Sequence, residues 1–301
     1  MWLFLAFISA VFLGFYDIAK KQSLLHNNVI PVLLLNTFFS SLFFLPCLFF
    51  SYSEHISSNS ILYITPYNIN EQIFIFIKSV LVLSSWLFAY LGLKHLPITI
   101  VGPINATRPI FVLLGALTFF DEQLSFFQWI GLLLAIVSFY LLSYSGKKEG
   151  IDFKQNKWIF FVIISNIIGA FCGLYDKFLL ASPTNNGLQI KAINLLAWYN
   201  IYQLLIMLAI FLVLLPKYYK TAKFHWHWSI LFISIFLSCA ELAYFYSLAQ
   251  PDALISIVSM IRRSSVVVSF IIGAWLFKEK NIKNKFLDLM LILISMFFLC
   301  M

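Results

Sequence analysis

Ten long apolar runs follow one another along the chain, and no segment between them is long enough to fold alone. They fall at about 2–19, 29–50, 71–93, 97–119, 125–145, 158–177, 191–215, 227–249, 252–277 and 284–300. A helix that crosses a bilayer needs about 20 predominantly apolar residues, and each run has roughly that length. In lipid, every backbone polar group has to be satisfied internally, which leaves helices or closed barrels. Barrels show short alternating strands, whereas these runs are continuous. The expected fold is therefore an all-α integral membrane protein with ten transmembrane helices. Charge content agrees: 11% of the 301 residues are charged, against about 25% in an ordinary soluble domain. So few charges cannot cover a soluble surface, which excludes a cytosolic globular enzyme, a nucleic-acid reader and a disordered chain.

The breaks between runs carry the topology signal. The first run starts at Trp2 without a basic segment, and Asp17, Lys20 and Lys21 stand where a cleavage site needs small residues. It reads as a first span and not a cleaved signal. With ten spans, one set of loops holds fourteen lysines and the opposite set only Lys177 and Lys191. The positive-inside bias places the richer set in the cytoplasm and both termini outside, in what would be a bacterial inner (plasma) membrane. Cys47, Cys172, Cys239 and Cys300 lie far apart in apolar runs, so neither a metal nor a redox pair is expected. No Gly-rich lysine loop for a nucleotide triphosphate occurs, and no Ser-His-Asp or zinc arrangement stands out. Neither an enzyme nor a cofactor is expected.

Internal symmetry is visible next. Gly14-Phe15-Tyr16-Asp17 recurs as Gly173-Leu174-Tyr175-Asp176, each followed within three residues by a lysine, Lys20 or Lys177. Asn36 has a counterpart in Asn200, and Arg108 in Arg262-Arg263. Gly115-Ala116 and Glu122 are matched by Gly273-Ala274 and Glu279. The shared order, at offsets near 160, points to a duplicated five-span unit: residues 1–146 and 158–301, joined by 147–157. Five is odd, so the second copy crosses the membrane in the opposite sense. Such inverted repeats are the usual plan of secondary transporters, with the substrate near the midplane between the copies.

This pattern resembles the drug/metabolite transporter superfamily, and within it the EamA-type ten-helix permeases. Pro97, Pro103, Pro109, Gly115, Glu122 and Gly131 carry the resemblance in the first half, Gly273 and Glu279 in the second. The resemblance implies a transporter and fixes no substrate. Its relatives handle amino acids, cations, nucleotide sugars or sugar phosphates, and the last group is similar in carrying basic residues on the fourth and ninth helices. Arg262-Arg263 stand where many relatives are apolar. Glu122 and Glu279 resemble the family's glutamate turn, a helix-end contact without chemistry.

Charged side chains inside a bilayer cost at least about 2.5–3.5 kcal/mol each on insertion scales, so they select the candidate site. Arg108, Arg262 and Arg263 lie midway along spans 4 and 9. Guanidinium forks suit carboxylate or phosphate, though internal ion pairs are the plainer reading. Glu241 in span 8 serves as counter-charge to an arginine, as a proton-coupling group, or as the seat of a substrate ammonium. Asn36, Asn200, Trp86, Tyr90 and Tyr244 complete the candidate substrate-binding set. Tyr16, Asp17, Lys20, Tyr175, Asp176 and Lys177 form candidate gating or structural pairs, with Asp17 and Lys20 three residues apart on one helix face. Lys78, two turns into span 3, reads as a snorkelling side chain. His225 and His227 flank Trp226 and read as an interfacial belt.

The leading functional reading is a secondary active transporter of a small polar metabolite bearing an anionic or zwitterionic group. It works by alternating access, with a coupling proton or counter-substrate, as a monomer or homodimer in the lipid bilayer. One alternative is a permease for an organic cation held by aromatics and Glu241. Another is a non-transporting membrane scaffold. Nucleic acid is not an expected partner.

Overall fold

The computed structural model describes residues 2–53, 60, 63–65, 68–119, 125–127, 129–131, 133–134, 137–138, 141, 155–182, 187–218, 224–250, 253–279 and 282–299. Among these there are helices and no strand: α1 (Trp2–Leu24), α2 (Val29–Tyr52), α3 (Ile69–His95), α4 (Ile98–Ala106), α5 (Arg108–Phe119), α6 (within 126–141), α7 (Lys157–Leu180), α8 (Ala192–Tyr218), α9 (Ser229–Leu248), α10 (Ile255–Arg263), α11 (Ser265–Leu276) and α12 (Ile282–Leu299). Seven segments among the described residues are long and apolar enough to cross a membrane: α1, α2, α3, α7, Ala192–Leu214 of α8, α9, and the stretch Ile257–Leu276. Large apolar side chains face outward, as lipid-facing surfaces require; Phe4, Phe49, Val213 and Trp275 are all more than half exposed.

Helix ends follow local chemistry. Asn68 and Asn156 cap α3 and α7, their side-chain oxygens accepting from Asn70 N at 3.2 Å and Trp158 N at 2.9 Å. Such caps satisfy amides that no helical carbonyl reaches. Pro97 follows Leu96, which is extended and ends α3.

Two runs expected as continuous spans are each interrupted by one residue. Between α4 and α5, Thr107 N donates to Ile104 O at 3.1 Å, and its hydroxyl to the same carbonyl at 2.7 Å. Between α10 and α11, Ser264 N reaches Ile261 O at 3.0 Å and its hydroxyl the same carbonyl at 2.7 Å. In both places a hydroxyl bonding back tightens the turn toward 3₁₀ geometry. At the first, Pro109 also has no N–H to offer the Asn105 carbonyl. The interruptions stand directly beside Arg108 and Arg263.

Three close helix pairs form the frame. On α1 and α9, Ser9 Oγ donates to Ala240 O at 2.7 Å and Ser247 Oγ to Trp2 O at 2.8 Å. On α3 and α7, Ser85 Oγ donates to Ser165 O at 2.9 Å, and His95 stacks on Trp158 with centroids 3.6 Å apart. Ser41 Oγ donates to Asn200 O at 2.9 Å between α2 and α8. In the first two pairs residue numbers fall on one helix as they rise on the other. Small residues and hydroxyls allow this closeness. At Gly92, for example, a Cβ would overlap the Val162 side chain.

Glu279 makes the helix-end contact expected of it. Its carboxylate accepts from Ile98 N at 2.8 Å, from Thr99 N at 3.1 Å and from the Thr99 hydroxyl, capping the first turn of α4. Glu122 lies outside the described residues. Ahead of α9, Trp226 and Trp228 are exposed and stack edge to face at 6.1 Å, as an interfacial aromatic belt would.

Candidate functional site

A polar cavity opens where α1, α3, α5, α7, α9 and α10 converge. One lobe, a cavity of about 60 Å³, is bordered by Lys78, Arg108, Asp176, Glu241, Arg262 and Arg263, with Trp86 and Tyr244. The adjoining lobe, about 80 Å³, shares Trp86, Arg108, Glu241 and both α10 arginines, and reaches Tyr16, Asp17 and Lys20. The three arginines and Glu241, spread over three helices, thus border one space.

The charges in this space do not balance. Asp17 holds Lys20 at 2.7 Å, Asp176 holds Lys78, and Glu241 holds Arg262. Among the described residues, these three pairs use all three carboxylates that border the cavity, leaving Arg108 and Arg263 with none within ion-pair distance. Arg108 has only weak neutral company: its Nε and Nη2 lie 3.4 and 3.3 Å from Asn166 Oδ1, whose amide nitrogen donates to Ile104 O at 2.7 Å. Arg263 Nε is buried without a protein partner. Arg262 is occupied twice over, by Glu241 and by the Tyr244 ring 4.0 Å beneath its guanidinium.

Gly169 explains how Arg108 is seated. A Cβ there would overlap the guanidinium of Arg108, so only glycine lets the side chain lie flat on α7. Gly169→Ala is expected to push the guanidinium away and weaken anion binding about tenfold while leaving the fold intact. Ligand titration of the purified variant beside the parent checks this, and unchanged affinity would refute it.

Several candidates lie elsewhere. Asn36 is fully buried in α2, away from the cavity border, with both polar side-chain atoms unpartnered. Asn200 Nδ2 donates to Leu196 O of its own helix at 2.7 Å. Tyr90 meets the Tyr16 hydroxyl at 3.5 Å behind the cavity wall. Tyr175 donates to Phe74 O at 3.2 Å.

Two expectations need correction. Lys78 does not snorkel: it is 1% exposed and paired with Asp176, because a carboxylate on α7 offers its ammonium a nearer partner than the membrane surface. For the same reason the second half does not repeat the local pair of the first. Asp176 turns to Lys78, and Lys177 donates instead to Ala253 O at 2.6 Å. The Asp17–Lys20 pair is present as expected, with Lys20 over the Tyr16 ring at 4.2 Å. Asn166 and Gly169 were not legible as site residues. Their only signal was an asparagine and a glycine three residues apart on one face of an apolar run.

Comparison with known proteins places the chain. Residues 1–144 match the model of the EamA-like transporter family, which belongs to the drug/metabolite transporter superfamily. None of the curated proteins compared matches the chain. Among 27 solved chains that do, one crystal structure described only as that of a protein aligns with a TM-score of 0.63. It covers 99% of this chain and 95% of its own at 12% identity, a likeness of fold alone. The chain is thus an integral membrane protein whose first 144 residues match a membrane-transporter family.

Proposed function

We propose that this chain is a transporter of the drug/metabolite type and moves a small metabolite bearing an anionic group by alternating access, with Arg108 and Arg263 as the anion clamp. The carrying observation is that both guanidiniums border the cavity and neither has a carboxylate partner. A buried cation without a counter-charge is costly, and an anionic substrate would supply that counter-charge. Trp86 offers a flat face beside it, and Glu241 balances Arg262. The organic-cation reading needs Glu241 and Tyr244 free, and both are engaged by Arg262.

The mechanism rests on two inverted five-helix units, residues 1–146 and 158–301, ten spans in all. The packing supports this reading: exchanging the halves turns the α1–α9 pair into the α7–α3 pair and maps α2–α8 onto itself. The interrupted helices α4/α5 and α10/α11 correspond in the same way. Discontinuous helices at a repeat interface are where transporters of this plan hold their substrates. The lysine asymmetry supports termini on the outer face of a bacterial inner membrane. Transport is secondary, driven by a proton or by a counter-substrate.

Thermal unfolding of the purified protein against organic acids, phosphorylated compounds, amino acids and quaternary amines tests the substrate class. A ligand at 100 times its Kd stabilises by about 2.7 kcal/mol. Anionic compounds are expected to raise Tm and quaternary amines are not. A quaternary amine that stabilises, or an anion effect unchanged in the Arg108→Ala, Arg263→Ala double variant, would sink the proposal.

A further inference from the structure

Asp17 and Asp176 occupy matching places in the repeated Gly-x-Tyr-Asp motif, yet their partners differ in kind. Lys20 belongs to the same helix as Asp17, so that pair moves with α1 as one body. Lys78 belongs to α3 and Asp176 to α7, so their pair crosses a contact between the halves. Of the ion pairs bordering the cavity, Lys20–Asp17 lies within the first half and Arg262–Glu241 within the second. Among the described residues, only Lys78–Asp176 joins one half to the other.

The surroundings of Lys78 strengthen the tie. Its ammonium lies 4.6 Å from the Phe245 ring centroid and 5.2 Å from that of Tyr199, both in the second half. Parting a buried pair leaves two charges without compensation. At the opposite end of the cavity the α1–α9 contact is tied by neutral groups: Ser23 meets Ser229, and Asn27 Nδ2 donates to His225 O at 2.8 Å.

The geometry points to Lys78–Asp176 as a one-sided gate lock. It clamps the N-terminal part of α3 to the C-terminal end of α7, on the side of the lysine-poor loops, and parts before the cavity opens there. At the other end of the cavity the charged groups that cross between the halves meet neutral partners, Glu279 accepting from Ile98 N and Thr99 N and Lys285 donating to the Thr99 hydroxyl, so the carrier rests closed on the Asp176 side. This inference rests on the alternating-access reading but not on the identity of the substrate.

Cys172 supplies the reporter, since it borders the cavity one turn before Asp176 and is 7% exposed. The full chain carrying Cys47→Ser, Cys239→Ser and Cys300→Ser is labelled with membrane-impermeant sulfonatoethyl methanethiosulfonate, from each membrane face in turn. The neutral pair Lys78→Met, Asp176→Asn is expected to raise the Cys172 labelling rate about tenfold from one face only, the size of a 1.4 kcal/mol change in bias. The swapped pair Lys78→Asp, Asp176→Lys restores slow labelling, and Asp17→Asn with Lys20→Met leaves the rate unchanged. Should the neutral pair fail to insert, the swapped pair read against Asp176→Asn alone carries the same comparison. Parental labelling in the neutral pair, an equal rise from both faces, or a swapped pair that stays fast would each overturn the lock. Labelling needs no ligand. A one-faced rise alongside arginine variants that bind anions normally would keep the lock and remove the clamp; the converse result would do the reverse.

Discussion

Replacing both Arg108 and Arg263 by alanine removes anion-dependent stabilisation altogether, and either change alone weakens anion binding by roughly 10- to 100-fold. Each guanidinium is expected to give the substrate a charge-assisted hydrogen bond, worth about 1.5–3 kcal/mol, and neither has a carboxylate to fall back on. The variants should be at least as stable as the parent without ligand, because each substitution withdraws an uncompensated charge from among other cations in the cavity. Loss of binding with intact or raised stability separates a clamp from a structural role, in which removing the arginine would lower Tm. Arg108→Lys should fall between parent and alanine, since an ammonium keeps the charge but not the planar fork. Calorimetric titration with the best anion from the panel, beside ligand-free unfolding, gives both readings. A double variant that binds like the parent would leave the excess charge without a role.

The sequence made the helices legible and left their partners obscure. Run length and continuity located the seven segments that are long and apolar enough to cross a membrane among the described residues, because lipid permits few other solutions. Glu279 was read as a helix-end contact and caps α4. The interruptions at Thr107 and Ser264 went unread, since a hydroxyl inside an apolar run is compatible with an unbroken helix, and whether it tightens the turn depends on packing. Charges were located well and paired poorly. A pair three residues apart, Asp17 and Lys20, follows from helix geometry alone. Lys78 and Asp176 are 98 residues apart, and nothing local in either segment names the other. The repeat itself misled here: it suggested that Lys177 plays the part of Lys20, although Lys177 follows Asp176 directly and so points about 100° away from it. Asn36 and Asn200 illustrate the opposite error. Polar residues in spans are costly enough to look functional, but Asn200 is satisfied within its own helix.

Glu241→Gln should cost about 3–5 kcal/mol, as removing one partner of a buried pair does, lowering Tm by on the order of 10 °C. The reason is Arg262, whose guanidinium is about nine-tenths buried against Glu241 and Tyr244 and would be left without a counter-charge. Removing both charges, Glu241→Leu with Arg262→Met, takes away the pair and its desolvation cost together. Stability should then return to the parental level or above it, as it often does when a buried pair is replaced by apolar groups of similar volume. Anion binding should survive in the double variant within a few-fold, because Arg108 and Arg263 remain and the cavity keeps its excess of two cations. That separates the two substrate classes cleanly. If the ligand were an organic cation seated on Glu241, the double variant would lose it whatever its stability. If Glu241 serves to neutralise Arg262, the same variant keeps its anion and only the single Glu241→Gln change is harmful. Unfolding and ligand titration on the parent and the two variants decide between them, and an anion lost from a stable double variant would assign Arg262 to the clamp instead of the frame.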